Sequence, residues 1–188
     1  MGEEPLTKAN ILDLIADEPV RMALLHAVAK LDLPDCWIGA GFVRNLVWDH
    51  LHGFSDATPL NDIDVIFFDA MNVSENLELK IAACLEQSQP QFKWDVKNQA
   101  RMHTVNGDAP YESSIDALSF WPKTATAIAV RLWDETSNRL ELAAPLGVED
   151  LVALRVRPTP AFKRKMKIFE QRIMKKHWQN IWPNLRLQ

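Results

Sequence analysis

Long apolar runs are missing from this chain: none approaches the roughly 18 to 20 residues that a bilayer-spanning helix requires, so no membrane partner is expected. The opening stretch, MGEEPLTKAN, has neither the basic flank nor the apolar centre of a secretory leader, and the expected setting is the cytoplasm. Cysteine is scarce as well. Cys36 and Cys84 lie in apolar segments without metal-ligand spacing, so buried, reduced thiols are the expectation. No internal repeat and no low-complexity tract is present, which sets aside solenoids and repeat arrays.

Positive charge is also scarce over most of the chain. Ten of the 21 Lys and Arg fall after residue 154, where Glu170 is the lone acid; that segment carries +9 and the first 154 residues carry −13. A cationic segment on an acidic body favours phosphate-bearing partners, nucleic acid included, with docking against the acidic body as the alternative. Lys163, Arg164, Lys165 and Lys167 are the expected nucleic-acid contacts. The length of 188 residues, 47% hydrophobic and 24% charged, suits one medium globular domain with a small appendage. The expected division is a domain over residues 1–157 and a basic helical appendage over 158–188 packed on it.

Helical spacing and capping predict helices over 8–16 behind Thr7, 19–31 behind Pro19, 42–51, and 75–87 behind Ser74. His26 falls on an apolar stripe and reads as a core histidine. His50 is expected to face inward, and the His50/His52 pair is structural, since residues two apart on a helix do not face each other. Short strands are predicted over 36–38, 62–68 and 91–96, with a hairpin over 127–133 and 139–142. Residues 98–103 read as irregular, 113–120 and 146–154 as short helices, and 161–177 as one long basic amphipathic helix, with Trp178 and Trp182 placed to pin it to the body.

The informative stretch is Trp37–Asp69. A turn at Gly39, Ala40 and Gly41 opens a helix, and two acids, Asp62 and Asp64, head the apolar run Val65–Phe68. On a strand, the period of two points both carboxylates to one face. The following strand-helix-strand pattern permits parallel neighbours, which would bring Asp95 beside them. Three oxygen donors of this kind suit two divalent cations, Mg²⁺ or Mn²⁺, as in-line phosphoryl transfer requires. The helix opening at Gly41 offers free N–H groups and the positive end of a dipole to a triphosphate. Together they imply a nucleoside triphosphate (NTP). The acids precede their apolar run, whereas the acid pairs of haloacid-dehalogenase-like phosphatases and metal-dependent glycosyltransferases follow theirs, which argues against both.

At these residues the chain resembles the DNA polymerase beta-like nucleotidyltransferase superfamily. AGFVRN (Ala40–Asn45) followed by NDIDV (Asn61–Val65) is similar to the GGxVRD and DID pattern of CCA-adding and poly(A) polymerases, with Ala40 in place of the first Gly and Asn45 in place of Asp. WIGAGFVRN, NDIDVIFFD, WDVKNQARMH, ATAIAVRL and the C-terminal Trp-rich segment also resemble a bacterial nucleotidyltransferase-like family of unassigned substrate. The resemblance implies an α+β nucleotidyltransferase fold, a small mixed sheet with packed helices and a basic C-terminal helix. It implies Asp62, Asp64 and Asp95 as metal-binding catalytic residues, and Ala40, Gly41, Arg44, Asn98 and Arg101 as nucleotide contacts. The expected activity is Mg²⁺-dependent transfer of a nucleoside monophosphate to an RNA, protein or small-molecule acceptor. The alternative is a non-catalytic binding module of the same fold for RNA or a protein. The long helical body with which CCA-adding enzymes hold tRNA has no counterpart here, which argues against tRNA maturation.

Overall fold

The structure, a computed structural model, describes residues 5–188. The chain opens with two helices, α1 (Lys8–Ala16) and α2 (Pro19–Ala29). Thr7 and Asn10 cap α1 reciprocally: the Thr7 hydroxyl accepts from the Asn10 N–H at 3.3 Å, and the Asn10 side chain accepts from the Thr7 N–H at 2.9 Å. Pro19 sits in the first turn of α2, where its missing N–H costs nothing. There follow β1 (Trp37–Gly39), α3 (Gly41–Leu51), β2 (Ile63–Phe67), α4 (Glu75–Ser88) and β3 (Trp94–Asn98). The second half holds α5 (Gln99–Asn106), α6 (Ser114–Ser119), the hairpin β4 (Ala129–Asp134) and β5 (Arg139–Ala143), α7 (Glu149–Val152), β6 (Arg155–Val156), α8 (Met166–Met174) and β7 (Arg186–Leu187).

The main sheet has the order β3-β2-β1-β4-β5. β2 and β3 are parallel, joined by α4 as the strand-helix-strand pattern predicts, and the other pairs are antiparallel. The fold is therefore α+β with a mixed sheet. Alternation gives the sheet two unlike faces. Ile38, Ile63, Val65, Phe67, Trp94, Val96 and Val130 bury one face in the main core with the helices α1–α4. The other face carries Asp64, Asp95 and Lys97 towards one end, and a small second cluster of Trp37, Ile66 and Ala129 covered by Leu118 of α6.

Residues 158–188 share the main core, where Phe169, Trp178, Trp182 and Leu185 are buried. Trp48 of α3 meets Trp178 and Trp182 edge to face at 5.3 and 5.1 Å. Among the described residues no helix is long and apolar enough to cross a membrane.

Several local expectations are corrected. Residues 99–106 are helical, because the Asn98 side chain caps α5 by accepting from the Ala100 N–H at 3.1 Å. The C-terminal helix is short: residues 162–164 form a 3₁₀ turn, and Lys165, at φ −120° and ψ 35°, separates it from α8. Cys84 and His50 are exposed rather than buried. His26 is half-buried and pairs with Asn138 at 2.8 Å.

Candidate active site

The chain passes from β1 into α3 with almost no connection. A Cβ added at Gly39 would lie 2.9 Å from the Trp121 indole, so only glycine allows this strand to run so close beneath it. Ala40 has φ 51° and ψ −117°, a conformation open to glycine and strained for alanine. It is held there by its N–H, which donates to the Ile128 carbonyl at 3.0 Å, and by its carbonyl, which accepts from the Arg44 N–H at 3.0 Å. Gly41 begins α3, and buried Arg21 fixes the first turn by donating from Nε to the Phe42 carbonyl at 2.9 Å.

Asp64 and Asp95 are Cα partners across the parallel β2/β3 pair, and Asp62 lies one residue before β2. All three acids line a cavity of about 320 Å³, together with Ala40, Gly41 and Arg44 at the head of α3. Burial, then the charges of Asp62 and Asp95, push the Asp64 carboxyl up to about 7. Lys97 Nζ stands 3.4 Å from Asp95 and 3.7 Å from Glu78. Among the described residues no three His, Cys, Asp or Glu side chains are drawn together tightly enough to enclose a metal ion. The donor chemistry nevertheless fits one: the acids are all-oxygen ligands, and the neighbouring negative charge that adds to burial in raising the Asp64 pKa is charge a divalent cation would neutralise.

A cationic wall faces the acids. Lys123, Arg172 and Lys176 line the same cavity beside Trp178, and none of the three cations was anticipated as a site residue. The spacing of Arg172 and Lys176, four residues apart, was the available signal for a shared helical face; Lys123, a single lysine after Pro122, offered none. The Arg44 guanidinium lies 4.4 Å from the centre of the Trp178 ring and 5.3 Å from that of Trp48. Its Nη2 donates to the Asn45 side chain at 2.6 Å. Asp49, buried on α3, ties two walls together. It accepts from the Thr58 N–H at 2.8 Å and hydroxyl at 2.6 Å, on the loop before Asp62, and from the Trp182 indole at 2.8 Å.

Two predicted nucleotide contacts are not brought to the cavity. Asn98 is fully buried, and its amide is consumed by Asp69 (N–H and carbonyl), Asn72 and Ala100. Arg101 makes a bidentate pair with Glu78, at 2.7 Å for both contacts, and braces α5 against α4. Of the expected nucleic-acid contacts, Lys163, Arg164 and Lys167 are exposed, while Lys165 pairs with Asp108 at 3.1 Å. A larger groove of about 490 Å³, between α2 and β4, contains none of the predicted site residues.

The model of a nucleotidyltransferase family matches residues 26–187. The chain belongs to this nucleotidyltransferase family. Transfer of a nucleoside monophosphate is the reaction class that membership carries. Among solved structures, the nucleotidyltransferase is 39% identical, with a TM-score of 0.85, to a protein whose NMR structure reveals a CCA-adding enzyme head domain, covering 97% of this chain and 96% of that one. It shares a fold with the Thermotoga maritima CCA-adding enzyme complexed with tRNA at 16% identity and a TM-score of 0.58, covering 95% of this chain and 42% of that one. A CCA-adding enzyme in an apo form matches likewise at 16% identity and a TM-score of 0.55, covering 98% of this chain and 43% of that one. The nucleotidyltransferase thus spans less than half the length of those two enzymes. No curated protein matches it.

Proposed function

We propose that this nucleotidyltransferase transfers a nucleoside monophosphate from an NTP to an acceptor hydroxyl or phosphate and releases pyrophosphate. The acceptor oxygen attacks the α-phosphorus, the bond from that phosphorus to the bridging oxygen breaks, and the electron pair leaves with pyrophosphate. The observation that carries this reading is the cross-strand pairing of Asp64 with Asp95 in the cavity onto which Asp62 and the head of α3 also open. Asp62, Asp64 and Asp95 would hold two Mg²⁺ or Mn²⁺ ions, which when bound supply charge neutralisation at the attacking and leaving oxygens. Asp95 would receive the proton of the acceptor hydroxyl. Gly41 and Ala40 present the N-terminal turn of α3 to phosphate, and Arg44, resting against the Trp178 and Trp48 indoles, adds a fixed positive charge.

A second reading, a binding module that keeps the fold without the reaction, is favoured by one observation: Lys97 already pairs with Asp95. Incubation with labelled NTPs, Mg²⁺ and cell extract separates the two. Label should pass from an NTP to a discrete RNA, protein or small molecule with the wild type and fall by at least about 100-fold with Asp64→Ala, since metal-supported phosphoryl transfer depends on its carboxylates. Equal labelling by both proteins sinks the catalytic reading, and salt-sensitive RNA retention indifferent to Asp64→Ala supports the binding module.

A further inference from the structure

Nucleotidyl transfer employs the acids of the cavity and leaves most of its cations without a task. Arg44, Lys123, Arg172 and Lys176 all line it. None of the four makes a salt bridge with a carboxylate among the described residues. Elsewhere the molecule pairs its half-buried charges: Arg101 with Glu78, Arg155 with Asp150, Lys165 with Asp108. Lys123 is 7% exposed, and its ammonium rests 5.0 Å from the centre of the Trp178 ring. Burial, then the neighbouring charges of Arg44, Arg172 and Lys176, lower its pKa to about 7. A buried cation crowded by three others is unfavourable until an anion completes the group. The indole under Lys123 and Arg44 fixes both before any ligand arrives.

We propose that Lys123, Arg172 and Lys176 seat the β- and γ-phosphates of the NTP donor, and the pyrophosphate that leaves, so that the C-terminal segment supplies two of the three phosphate contacts. The identity of the ligand rests on the nucleotidyl-transfer reading; the anion-binding property does not. Phosphate oxygens are also carried by a phosphorylated acceptor. The depth of Lys123 selects the slender tail of a donor over the backbone of a polynucleotide, and three converging cations match a linked pair of phosphates better than a single one.

The test is calorimetric titration of the full chain in EDTA with inorganic tripolyphosphate and, separately, with a 5′-phosphorylated oligoribonucleotide. Tripolyphosphate should bind the wild type and outcompete the oligoribonucleotide. Arg172→Gln and Lys176→Gln, both at exposed positions, should each weaken it about fivefold to tenfold. Lys80→Gln, on the exposed side of α4, should leave it unchanged. The Asp64→Asn protein should keep tripolyphosphate binding while losing transfer; a wild type that binds tripolyphosphate yet transfers no label overturns the nucleotidyl-transfer reading and not this one. Tripolyphosphate affinity that is nil in the wild type, equal in Arg172→Gln and Lys176→Gln, or equally reduced in Lys80→Gln overturns the proposal. So does retention of the oligoribonucleotide against excess tripolyphosphate.

Discussion

Asp64 carries the cost of burying an acid beside two others. Its pKa rises from 3.8 to about 7, first through burial and then through Asp62 and Asp95. An acid that holds its proton more tightly when folded favours the folded state below its unfolded pKa. That contribution is lost as pH climbs from 3.8 through about 7. In EDTA, Asp64→Asn should therefore melt higher than the wild type above about pH 7, with a gap of ~2–4 °C for each kcal/mol relieved. The two should converge near pH 3.8, and Mg²⁺ should close the upper gap by raising the wild type alone. Calorimetry checks this, and an Asp64→Asn protein that melts lower in EDTA above neutrality contradicts it. The shared face of Asp64 and Asp95 was legible in the sequence because strand alternation is a local rule, whereas Asp62, expected on the strand, lies just before it. The fate of Asn98 and Arg101 was not legible, since it depends on Glu78, a helix away, whose carboxylate accepts from the backbone N–H of one and the guanidinium of the other.

At the level of elements, the tight passage from β1 to α3 sets where the head of that helix points. Ala40 bears the strain of the passage, in a conformation suited to glycine. Relief of about 1–3 kcal/mol of backbone strain, offset by about 0.4–1 kcal/mol of added unfolded-state entropy, predicts that Ala40→Gly raises stability by about 1 kcal/mol. Urea unfolding reads this directly, and a lowered midpoint at unchanged slope shows the turn to be relaxed. Helices α1–α4 announced themselves by apolar spacing, and α1 by its Thr7 cap as well, whereas Ser74 ahead of α4 makes no side-chain cap bond. α5 did not announce itself: of its side chains Gln99 alone is buried, so no periodicity marks it and its cap decides. α8 fell short of its expected length because Lys165 turns aside to the Asn106 carbonyl and Asp108, ending the 3₁₀ turn where a continuous helix was read.

The molecule as a whole has its C-terminal segment built into the core rather than resting on it, and the packing of Trp48 with Trp178 and Trp182 is the joint. Thermal unfolding followed by tryptophan fluorescence and by far-ultraviolet dichroism should accordingly superimpose as one transition. Trp182→Ala should lower both curves together, by about 3–5 kcal/mol; a fluorescence change that precedes the loss of helix would show the segment to unfold alone. The fold class and the parallel β2/β3 pair followed from pattern, because a strand, a helix and a strand in series leave few ways to close. The cationic wall did not, because its members lie about 50 residues apart along the chain and meet only through the tryptophan joint. One carboxylate spans that joint and the acidic rim. Asp49 grips Thr58, on the loop leading to Asp62, and Trp182, on the C-terminal side. Removing that carboxylate would therefore loosen the loop before Asp62 and the C-terminal segment together.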